Sequence, residues 1–506
     1  MKYGAIAGGE KSTVHAASVI LENGGNAFDA AVGAVFTSMV SEYNLTGAGG
    51  GGAFLACPAN SDPILFDFFV DTPPPQPDKE LDFFDIMVDF GPSQQEFHIG
   101  QGSVAIPGNT AGLLEVHQRL GQVPLIAVLE PAVVAARSGV ILNEAQAYLI
   151  KILEPILINS TAGCDLFRPN GKLLKKGDRF QNPSFADFLN MLVAEGSRYF
   201  YEGDGAELIL NTVGQQGLIT RECLSQYTVV ERQPLKSQFR GKTIYTNPAP
   251  ATGGTLITFA LQLMDQSDRN SKSDFTNLVK AMQMSSTARR DFCHDMKNEM
   301  QISQVLTPKI FNKYLDLFNS GFTISHPQND PLSRGATTHV SILDKQGNAA
   351  SVTTTNGEGC GYLIPELGIM LNNMLGEEDL NPMGFHLCTR QQRLPTMISP
   401  TLVMGKKGIE LVLGSGGSNR LRSAISQIIL NLFAKNMDLE SAVHTARIHL
   451  EGNVLHFEPG ALLETLPDDI QLHSWNEKNL FFGGVNAVTP VDAVGDPRRG
   501  GFGMIC

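Results

Sequence analysis

The chain is short of basic residues and of cysteine. Its 506 residues carry 38 lysines and arginines against 51 acidic residues, which leaves a formal net charge of −13. A surface this acidic argues against nucleic acid or an anionic membrane as a partner. The seven cysteines are an odd, scattered set without Cys-x-x-Cys spacing. That pattern indicates reduced thiols and not a disulfide framework.

Long apolar runs are missing as well. The longest apolar stretch, residues 30–40, is too short to span a bilayer, because a transmembrane helix needs about 20 residues. Residues 1–17 contain no apolar core of the kind that marks a secretory signal. These absences predict a cytoplasmic protein that does not bind a membrane, with an exported form as the alternative.

Signatures of metal and nucleotide cofactors are absent or broken. The eleven histidines form no His-Glu-x-x-His motif, and His444 and His449 are five apart, off a shared helical face. The stretch GAIAGGEKST (4–13) comes close to a phosphate-binding loop. Glu10, however, stands directly before Lys11, and its charge would repel a phosphate. We therefore predict no metal site and no cofactor.

Helix signals dominate the first two-thirds of the chain. Thr13 is a predicted N-cap for a helix that ends at Gly24-Gly25, and Asn26 for the next helix, which is apolar on nearly all sides and so buried. Residues 109–160 and 180–300 carry helical periodicity. Residues 318–335 are polar and turn-rich, which predicts an exposed, cleavable connection.

A β-hairpin is predicted directly after that connection. Residues 338–343 and 349–355 are rich in Val, Ile and Thr and flank the turn DKQGN (344–348). In a symmetric register Leu343 faces Ala349, and Thr337 faces Thr355. Cross-strand neighbours have Cβ atoms about 5 Å apart, so the two threonine hydroxyls would meet. A slip of one residue would place them on opposite faces.

Paired threonines at this position allow nucleophilic chemistry. A threonine hydroxyl needs a base, and one solution is the residue's own α-amine, exposed when the chain is cut before it. An α-amine has a pKa near 8, so a useful fraction is free at neutral pH. Ala336 is small and Gly335 flexible, so the chain can fold back on the Ala336 carbonyl. Taken alone, the segment TTHVS is also what an ordinary strand looks like.

A glycine turn, GSGGSNR (414–420), lies between the apolar strand 409–413 and the helix 423–436. Such a turn gathers backbone N–H groups at a helix N-terminus. A dinucleotide loop is excluded because position 419 is Asn where the pattern needs Gly. Two interpretations stay open: a plain tight turn, and an oxyanion hole formed by Gly416 and Gly417.

Several motifs, in this order, resemble the γ-glutamyltransferase family. They are ENGGNAFDAAVGA (22–34), TGAGGGGAF (46–54), GSVAIPGNTAGL (102–113), TTHVS (337–341), GIMLNN (368–373), ISPTLV (398–403), GSGGSNR (414–420) and GDPRRGG (495–501). The resemblance covers nearly the whole chain, and a series of independent motifs in order is more specific than any one of them.

The resemblance implies an N-terminal-nucleophile hydrolase of the α/β (α+β) class, a four-layer α-β-β-α sandwich. The precursor would be cut between Ala336 and Thr337 into a large segment, 1–336, and a small one, 337–506, which stay associated as one catalytic domain. Thr337 would be the nucleophile, Thr355 would orient it, and Gly416 and Gly417 would form the oxyanion hole. Water, an amino acid or a peptide amine would accept the acyl group, without a cofactor.

The residues expected to read the substrate depart from the family pattern. Family members hold the substrate carboxylate with an Arg that precedes the segment corresponding to GSVAIPGNTAGL (102–113). In this chain no Arg precedes Arg119. Met374 stands where an amide is usual, and Glu377 and Glu378 are left to hold the α-amine. Paired serines are replaced by Pro395-Thr396.

Three further residues complete the predicted site. Asn356, allowing a one-residue gap, and Ser418 are expected beside the substrate, together with Thr396. His339 is expected to be a hydrogen-bonded core residue more than a group that tunes the site.

Three functions stay open at this point. The first is a self-processed enzyme that cleaves γ-glutamyl amides such as glutathione through a threonine acyl-enzyme. The second is an amidase or acylase for glutaryl or β-lactam side chains, which the altered substrate-reading residues favour. The third is an unprocessed, non-catalytic scaffold that binds small acylated compounds.

Overall fold

A computed structural model describes residues 1–506 except 90–93, 267–273, 293–300, 321–335, 382, 389–390, 465 and 467–468. The predicted cleavable connection therefore lies largely outside the described residues. The strands in the described part of the chain are, in order, β1 (Gly4–Gly8), β2 (Gly51–Cys57), β3 (Ile64–Phe68), β4 (Phe84–Asp89), β5 (Gln94–Ile99), β6 (Val140–Ile141), β7 (Arg179–Phe180), β8 (Val230–Arg232), β9 (Leu235–Phe239), β10 (Lys242–Thr246), β11 (Thr338–Asp344), β12 (Ala349–Thr355), β13 (Leu363–Ile364), β14 (Ile369–Met370), β15 (Thr401–Gly405), β16 (Gly408–Gly416), β17 (Ile448–Glu451), β18 (Val454–Phe457), β19 (Gln471–Ser474), β20 (Gly484–Val488), β21 (Ala493–Val494) and β22 (Phe502–Ile505).

The α-helices of the same residues are α1 (Lys11–Glu22), α2 (Ala27–Ser41), α3 (Asn109–Leu120), α4 (Leu125–Ser138), α5 (Glu144–Ile152), α6 (Glu154–Leu157), α7 (Thr161–Phe167), α8 (Pro183–Glu195), α9 (Arg198–Tyr201), α10 (Asp204–Val213), α11 (Arg221–Ser225), α12 (Thr252–Gln266), α13 (Asp274–Phe292), α14 (Pro308–Ser320), α15 (Leu421–Phe433) and α16 (Leu439–His444). No helix in the described ranges is both long and apolar enough to cross a membrane.

Two large sheets form the centre of the molecule. One has the strand order β22-β1-β11-β12-β2-β3-β8, and the other β21-β20-β16-β15-β10-β9. They pack face to face through a shared apolar layer that includes Leu55, Leu343, Leu402 and Val412. Polar bonds cross the same layer, such as that from the Ser351 hydroxyl to the Leu413 carbonyl, 2.9 Å.

Helices cover the outer face of each sheet. The apolar outer face of the seven-stranded sheet packs in one core with α1, α2 and α4. The outer face of the six-stranded sheet packs with α12, α13 and α15. Because each sheet buries both faces, the two sheets and two helical layers form the predicted α-β-β-α sandwich, and the fold prediction is confirmed.

Local sequence predictions met mixed outcomes. Asn26 caps α2 through a capping box with Asp29, as predicted, and α2 is buried all round. The Thr13 prediction was wrong, because α1 begins at Lys11 and the Glu10 carboxylate accepts from the Ser12 N–H. The region 180–300, read as helical, also contains the strands β8, β9 and β10.

A buried ion-pair cluster, formed by Asp496, Arg447, Arg498 and Glu458, fixes the last turns of the chain. Asp496 carboxylate oxygens lie 2.6 Å from the Arg447 and 3.2 Å from the Arg498 guanidinium, and Arg498 also pairs with Glu458 at 2.5 Å. All four side chains are almost fully buried. The cluster therefore positions the next residue, Arg499, which reaches the site described below.

Candidate active site

The hairpin of β11 and β12 has the register that the sequence predicts. Leu343 pairs with Ala349, and the pairing runs in step to Thr338 and Thr354. Thr337 stands one residue before β11, and Thr355 is the last residue of β12. The symmetric register therefore brings residues 336–337 to the end of β12, in the middle of the seven-stranded sheet.

Alternation along β11 decides what each side chain faces. Leu343 faces the second sheet, and so does His339, whose ring lies against Gly414 of β16. Thr338 faces the helices instead, and its hydroxyl donates to a Glu42 carboxylate oxygen at 2.6 Å. Thr337, by the same alternation, belongs to the inter-sheet face beside β16.

His339 is a core residue, as the sequence analysis expected. Its ring nitrogens bond with the hydroxyls of Thr353 and Ser341 at 2.8 and 2.9 Å. Burial lowers the pKa of His339 to about 3. The ring is therefore neutral at physiological pH, and a charged imidazolium is not available as an acid at this position.

Ala336, the residue before Thr337, is held through both its carbonyl and its N–H group. The Thr355 hydroxyl donates to the Ala336 carbonyl oxygen and accepts from the Gly357 N–H at 3.1 Å. The Ala336 N–H donates to the Glu358 carboxylate at 3.3 Å. In the uncut chain Thr355 thus contacts the carbonyl that Thr337 would attack, where the sequence alone predicted a contact with the Thr337 hydroxyl.

The glycine turn lies against Thr337. A Cβ on Gly416 would come within 2.2 Å of the Thr337 carbonyl oxygen, so no side chain fits there. Gly417 has φ +124°, a conformation that side chains rarely adopt. The Arg499 guanidinium borders both glycines and donates to the Thr337 carbonyl at 3.4 Å. The turn therefore adjoins the candidate nucleophile, where an oxyanion hole needs to be.

The predicted substrate-reading residues divide into two groups. Asn356 is buried; its amide donates to the Met370 carbonyl at 3.0 Å, while its Oδ1 has no partner among the described residues. Glu377 approaches Gly357, where a Cβ would lie 2.4 Å from its carboxylate. Burial first, and then the charge of Asp379, raise the pKa of Glu377 to about 8.

The second group is engaged elsewhere. The Glu378 side chain is exposed. The Thr396 hydroxyl accepts from the Ile398 N–H at 3.2 Å, and its carbonyl accepts from the Thr252 and Gly253 N–H groups at the start of α12. Thr396 thus has a structural role. The Ser418 hydroxyl donates to an Asp379 carboxylate oxygen at 2.7 Å.

Asp379 is a site residue that sequence reasoning missed. Its carboxylate accepts from Ser418 and, at 2.9 Å, from Asn419. Arg289 of α13 donates to the Asn419 side chain at 2.7 Å and to the Asp379 backbone carbonyl at 3.1 Å. The acid run 377–379 was the available signal, but only the fold shows that its third member fastens the glycine turn.

Glu358 is the second missed residue. Its side chain is buried beside Ala336 and its N–H donates to the Asn373 side chain at 2.9 Å. A charged residue between two glycines directly after a strand was the available signal. No group of three or more potential metal ligands occurs within the described ranges.

Two arginines near the glycine turn differ in their surroundings. Arg420 is buried, its Nε donates to the Phe481 carbonyl at 3.2 Å, and its guanidinium lies 5.0 Å from that ring. Both terminal nitrogens of Arg420 lack a hydrogen-bond partner within the described part of the chain. Arg422 instead donates to Ser286 of α13 at 3.0 Å. Arg420 therefore keeps two donors that no described residue uses.

The four-layer sandwich is the fold of the N-terminal-nucleophile hydrolases, and this chain shares it with solved structures of a cephalosporin acylase and a γ-glutamyltranspeptidase. The chain belongs to the family described as gamma-glutamyltranspeptidase, whose sequence profile matches residues 13–506. The predicted family resemblance is confirmed, and the protein is a hydrolase-type enzyme of that family.

Three proteins to which the chain is similar carry the names of hydrolases or acylases. The chain is 29% identical over 480 residues to the glutathione hydrolase proenzyme of Escherichia coli K12, covering 88% of this chain and 81% of that protein. It is 28% identical over 474 residues to the acylase ACY 1 proenzyme of a Pseudomonas species, strain SE83, covering 90% and 83%. The fold matches cephalosporin acylase from Bacillus halodurans with a TM-score of 0.82 and 19% identity, over 99% and 96% of the two chains.

Proposed function

We propose that the chain is a proenzyme that cuts itself between Ala336 and Thr337 and then hydrolyses γ-glutamyl or related N-acyl amides through Thr337. The observation that carries the proposal is the hydrogen bond from Thr355 to the Ala336 carbonyl. This bond withdraws electron density from the carbonyl carbon that Thr337 would attack.

The self-cleavage follows from that arrangement. Thr337 Oγ attacks the Ala336 carbonyl carbon, and the bond from that carbon to the Thr337 nitrogen breaks as the nitrogen takes the hydroxyl proton. The acyl group is then an ester on Thr337 Oγ. Water opens the ester, which leaves a carboxylate on Ala336 and a free α-amine on Thr337. The small side chain of Ala336 and the absence of any side chain at Gly416 leave room for the attack.

The same threonine then processes a substrate amide. The α-amine takes the hydroxyl proton, Oγ attacks the substrate carbonyl, and the N–H groups of Gly416 and Gly417 stabilise the oxyanion. The leaving amine takes the proton, and water or an acceptor amine releases the acyl group from Thr337. The net reaction with water is amide hydrolysis.

A gel separates this enzyme from an uncut scaffold. The purified protein, 54.7 kDa, should give two bands of about 36 and 18 kDa, in the proportion of 336 to 170 residues. Thr337→Ala should stay a single band. Thr338→Ala is the matched control and should still be cut, because the Thr338 hydroxyl is bound to Glu42 and faces away from the bond. A wild-type protein that stays whole when folded would refute the assignment.

The acylase alternative rests on a specific observation. The stretch 82–99, directly before the segment GSVAIPGNTAGL (102–113), carries no Arg and contributes aromatic rings: Phe83 stacks on His98 at 5.1 Å, and Phe385 lies 4.5 Å from His98. The His98 carbonyl accepts from Asn373 at 3.3 Å, so this cluster adjoins the site. A cluster of rings in this place favours an uncharged acyl group, of the kind that β-lactam side chains can carry, over glutaryl and γ-glutamyl groups, which both end in a carboxylate.

Paired anilides decide between the two substrates. γ-Glutamyl and glutaryl 4-nitroanilide differ only in the α-amino group. We expect a high KM for the glutamyl compound and for glutathione, because each missing charge-assisted contact weakens binding about 10-fold or more. Because Glu377 is left to hold the α-amine, some preference for the γ-glutamyl anilide should survive in its kcat/KM. Glu377→Gln should reduce that preference. A micromolar KM for glutathione without glutaryl turnover would instead show that a cation such as Arg420 replaces the missing Arg.

A further inference from the structure

Glu358 is a buried acid at the centre of the site with no role in the mechanism above. Only 5% of its surface is exposed. One carboxylate oxygen accepts from the Ala336 N–H at 3.3 Å. The other is buried and has no hydrogen-bond partner among the described residues. A buried carboxylate with one oxygen unpaired is costly, which calls for an explanation.

The uncut chain shows what this carboxylate can hold. Ala336 is the acyl part of the bond that Thr337 would attack, so the precursor presents an acyl group to its own nucleophile. Thr355 holds the carbonyl of that group, and Glu358 holds its nitrogen. That nitrogen is attached to the carbon next to the carbonyl. Glu358 is therefore placed to contact a nitrogen at this position of an acyl donor.

A second acid strengthens the preference for a cationic nitrogen. Burial, followed by the neighbouring charge of Glu377, raises the pKa of Glu358 well above its ordinary value. Two neighbouring carboxyls, one buried and one half-buried, resist carrying two negative charges, and a cation between them removes that penalty. When Ala336 leaves after cleavage, the Glu358 carboxylate also loses the Ala336 N–H as a donor, and a substrate ammonium can replace it.

We infer that Glu358 selects acyl donors with an amino group on the carbon next to the scissile carbonyl, so that α-aminoacyl amides form a further substrate class. This inference rests on the proposed function of Thr337. It differs from γ-glutamyl recognition, because a γ-glutamyl donor carries its amine two carbons farther from the carbonyl, beyond the position that the Ala336 nitrogen marks.

The test compares donors that differ only in that amino group. L-Alanine 4-nitroanilide and propionyl 4-nitroanilide are given to the cut wild-type enzyme, and kcat and KM are measured separately. We expect kcat/KM to be about 10-fold or more higher for the alanyl compound, the factor that one charge-assisted hydrogen bond supplies. Equal rates for the two compounds overturn the inference.

Variants assign the preference to its residue. Glu358→Gln keeps the shape and loses the charge, so the alanyl preference should fall towards 1, mainly through KM. Glu366→Gln, an exposed acid of the same segment, is the matched control and should keep the preference. A cut Glu358→Gln enzyme with the full preference refutes the role. If the Glu358→Gln variant stays uncut, the result supports a role for the Glu358 contact with Ala336 in cleavage. The comparison of the two anilides with the wild-type enzyme then decides the substrate class.

The possible outcomes distinguish a failure of this inference from a failure of the proposed function of Thr337. A wild-type chain that stays whole and hydrolyses no anilide contradicts the proposed function itself. A chain that is cut and hydrolyses γ-glutamyl, glutaryl or propionyl anilide, but shows no preference for the alanyl compound, leaves the proposed function standing and refutes only the role of Glu358.

Discussion

Replacing Glu42 with Gln should stabilise the uncut protein at neutral and alkaline pH. Glu42 lies 4% exposed at the end of α2, where it accepts from Thr338 at 2.6 Å and from Thr13 at 3.0 Å. Burial raises the pKa of Glu42 to about 7, against the effect of the Thr338 bond. Gln has the same shape and can keep an acceptor, but it carries no charge to bury.

The size and sign of the effect follow from the two pKa values. The ordinary value is 4.5 and the folded value about 7; at ~1.4 kcal/mol per pH unit this difference corresponds to about 3 kcal/mol. Because the folded pKa is the higher one, the protonated acid stabilises the fold below pH 4.5. That contribution is lost as the pH rises through 7. The advantage of Gln should therefore grow between these values and stay constant above about pH 8.

Denaturant unfolding from pH 5 to 8.5 measures this directly. The Glu42→Gln variant and its parent both carry Thr337→Ala, so that the chain stays whole and cleavage does not change the transition. Glu22→Gln, an exposed acid on α1, serves as the control and should show no such trend. A stability difference between the Glu42→Gln variant and its parent that is independent of pH, or that shrinks as pH rises, would refute the reasoning.

Three further predictions concern the site and its support. Thr355→Ala should slow both self-cleavage and turnover by ~10²-fold, measured by gel and by anilide release, since the hydroxyl positions the reacting carbonyl. Gly417→Ala should reduce kcat by ~10²-fold or more, because a Cβ at φ +124° would lie 3.0 Å from the Gly483 Cα and shift the proposed oxyanion-hole N–H. Gly408→Ala, with similar φ (+113°) but open space around it, should leave kcat unchanged. Asp496→Asn leaves its two arginine partners buried with less compensation, and should lower the free energy of unfolding by ~3–5 kcal/mol; an unchanged thermal midpoint would contradict this.

The hairpin could be predicted from sequence because its signals are local. Two strand-forming segments and the symmetric turn between them fix the register, so Leu343 and Ala349 pair as expected. Asn26 likewise caps its helix through contacts three residues away. In such cases the residues that determine the structure lie close together in the sequence, so the structure can be predicted from it.

The missed features depend on contacts between distant parts of the chain. Glu358 acts on Ala336 and Asp379 on Ser418, but nothing in the acid run 377–379 shows which carboxylate turns inwards. Glu378 was expected in the site and is exposed. The short strands β8, β9 and β10 were read as helix, because five residues or fewer give a periodicity too brief to separate from a helical face.

The strand order of the seven-stranded sheet has a consequence for the cut enzyme that we propose. β1 lies between β22 and β11, so a strand from before the cleavage point is flanked by two from after it, and β12 pairs with β2 on the other side. The products of cleavage thus share one hydrogen-bonded sheet. Before the cut, refolding is a reaction of one molecule and does not depend on concentration. After it, two separate polypeptides must meet, so recovery from denaturation becomes second order and dilution opposes it. Cleavage would convert a reversible folding equilibrium into a state maintained by its barrier to unfolding.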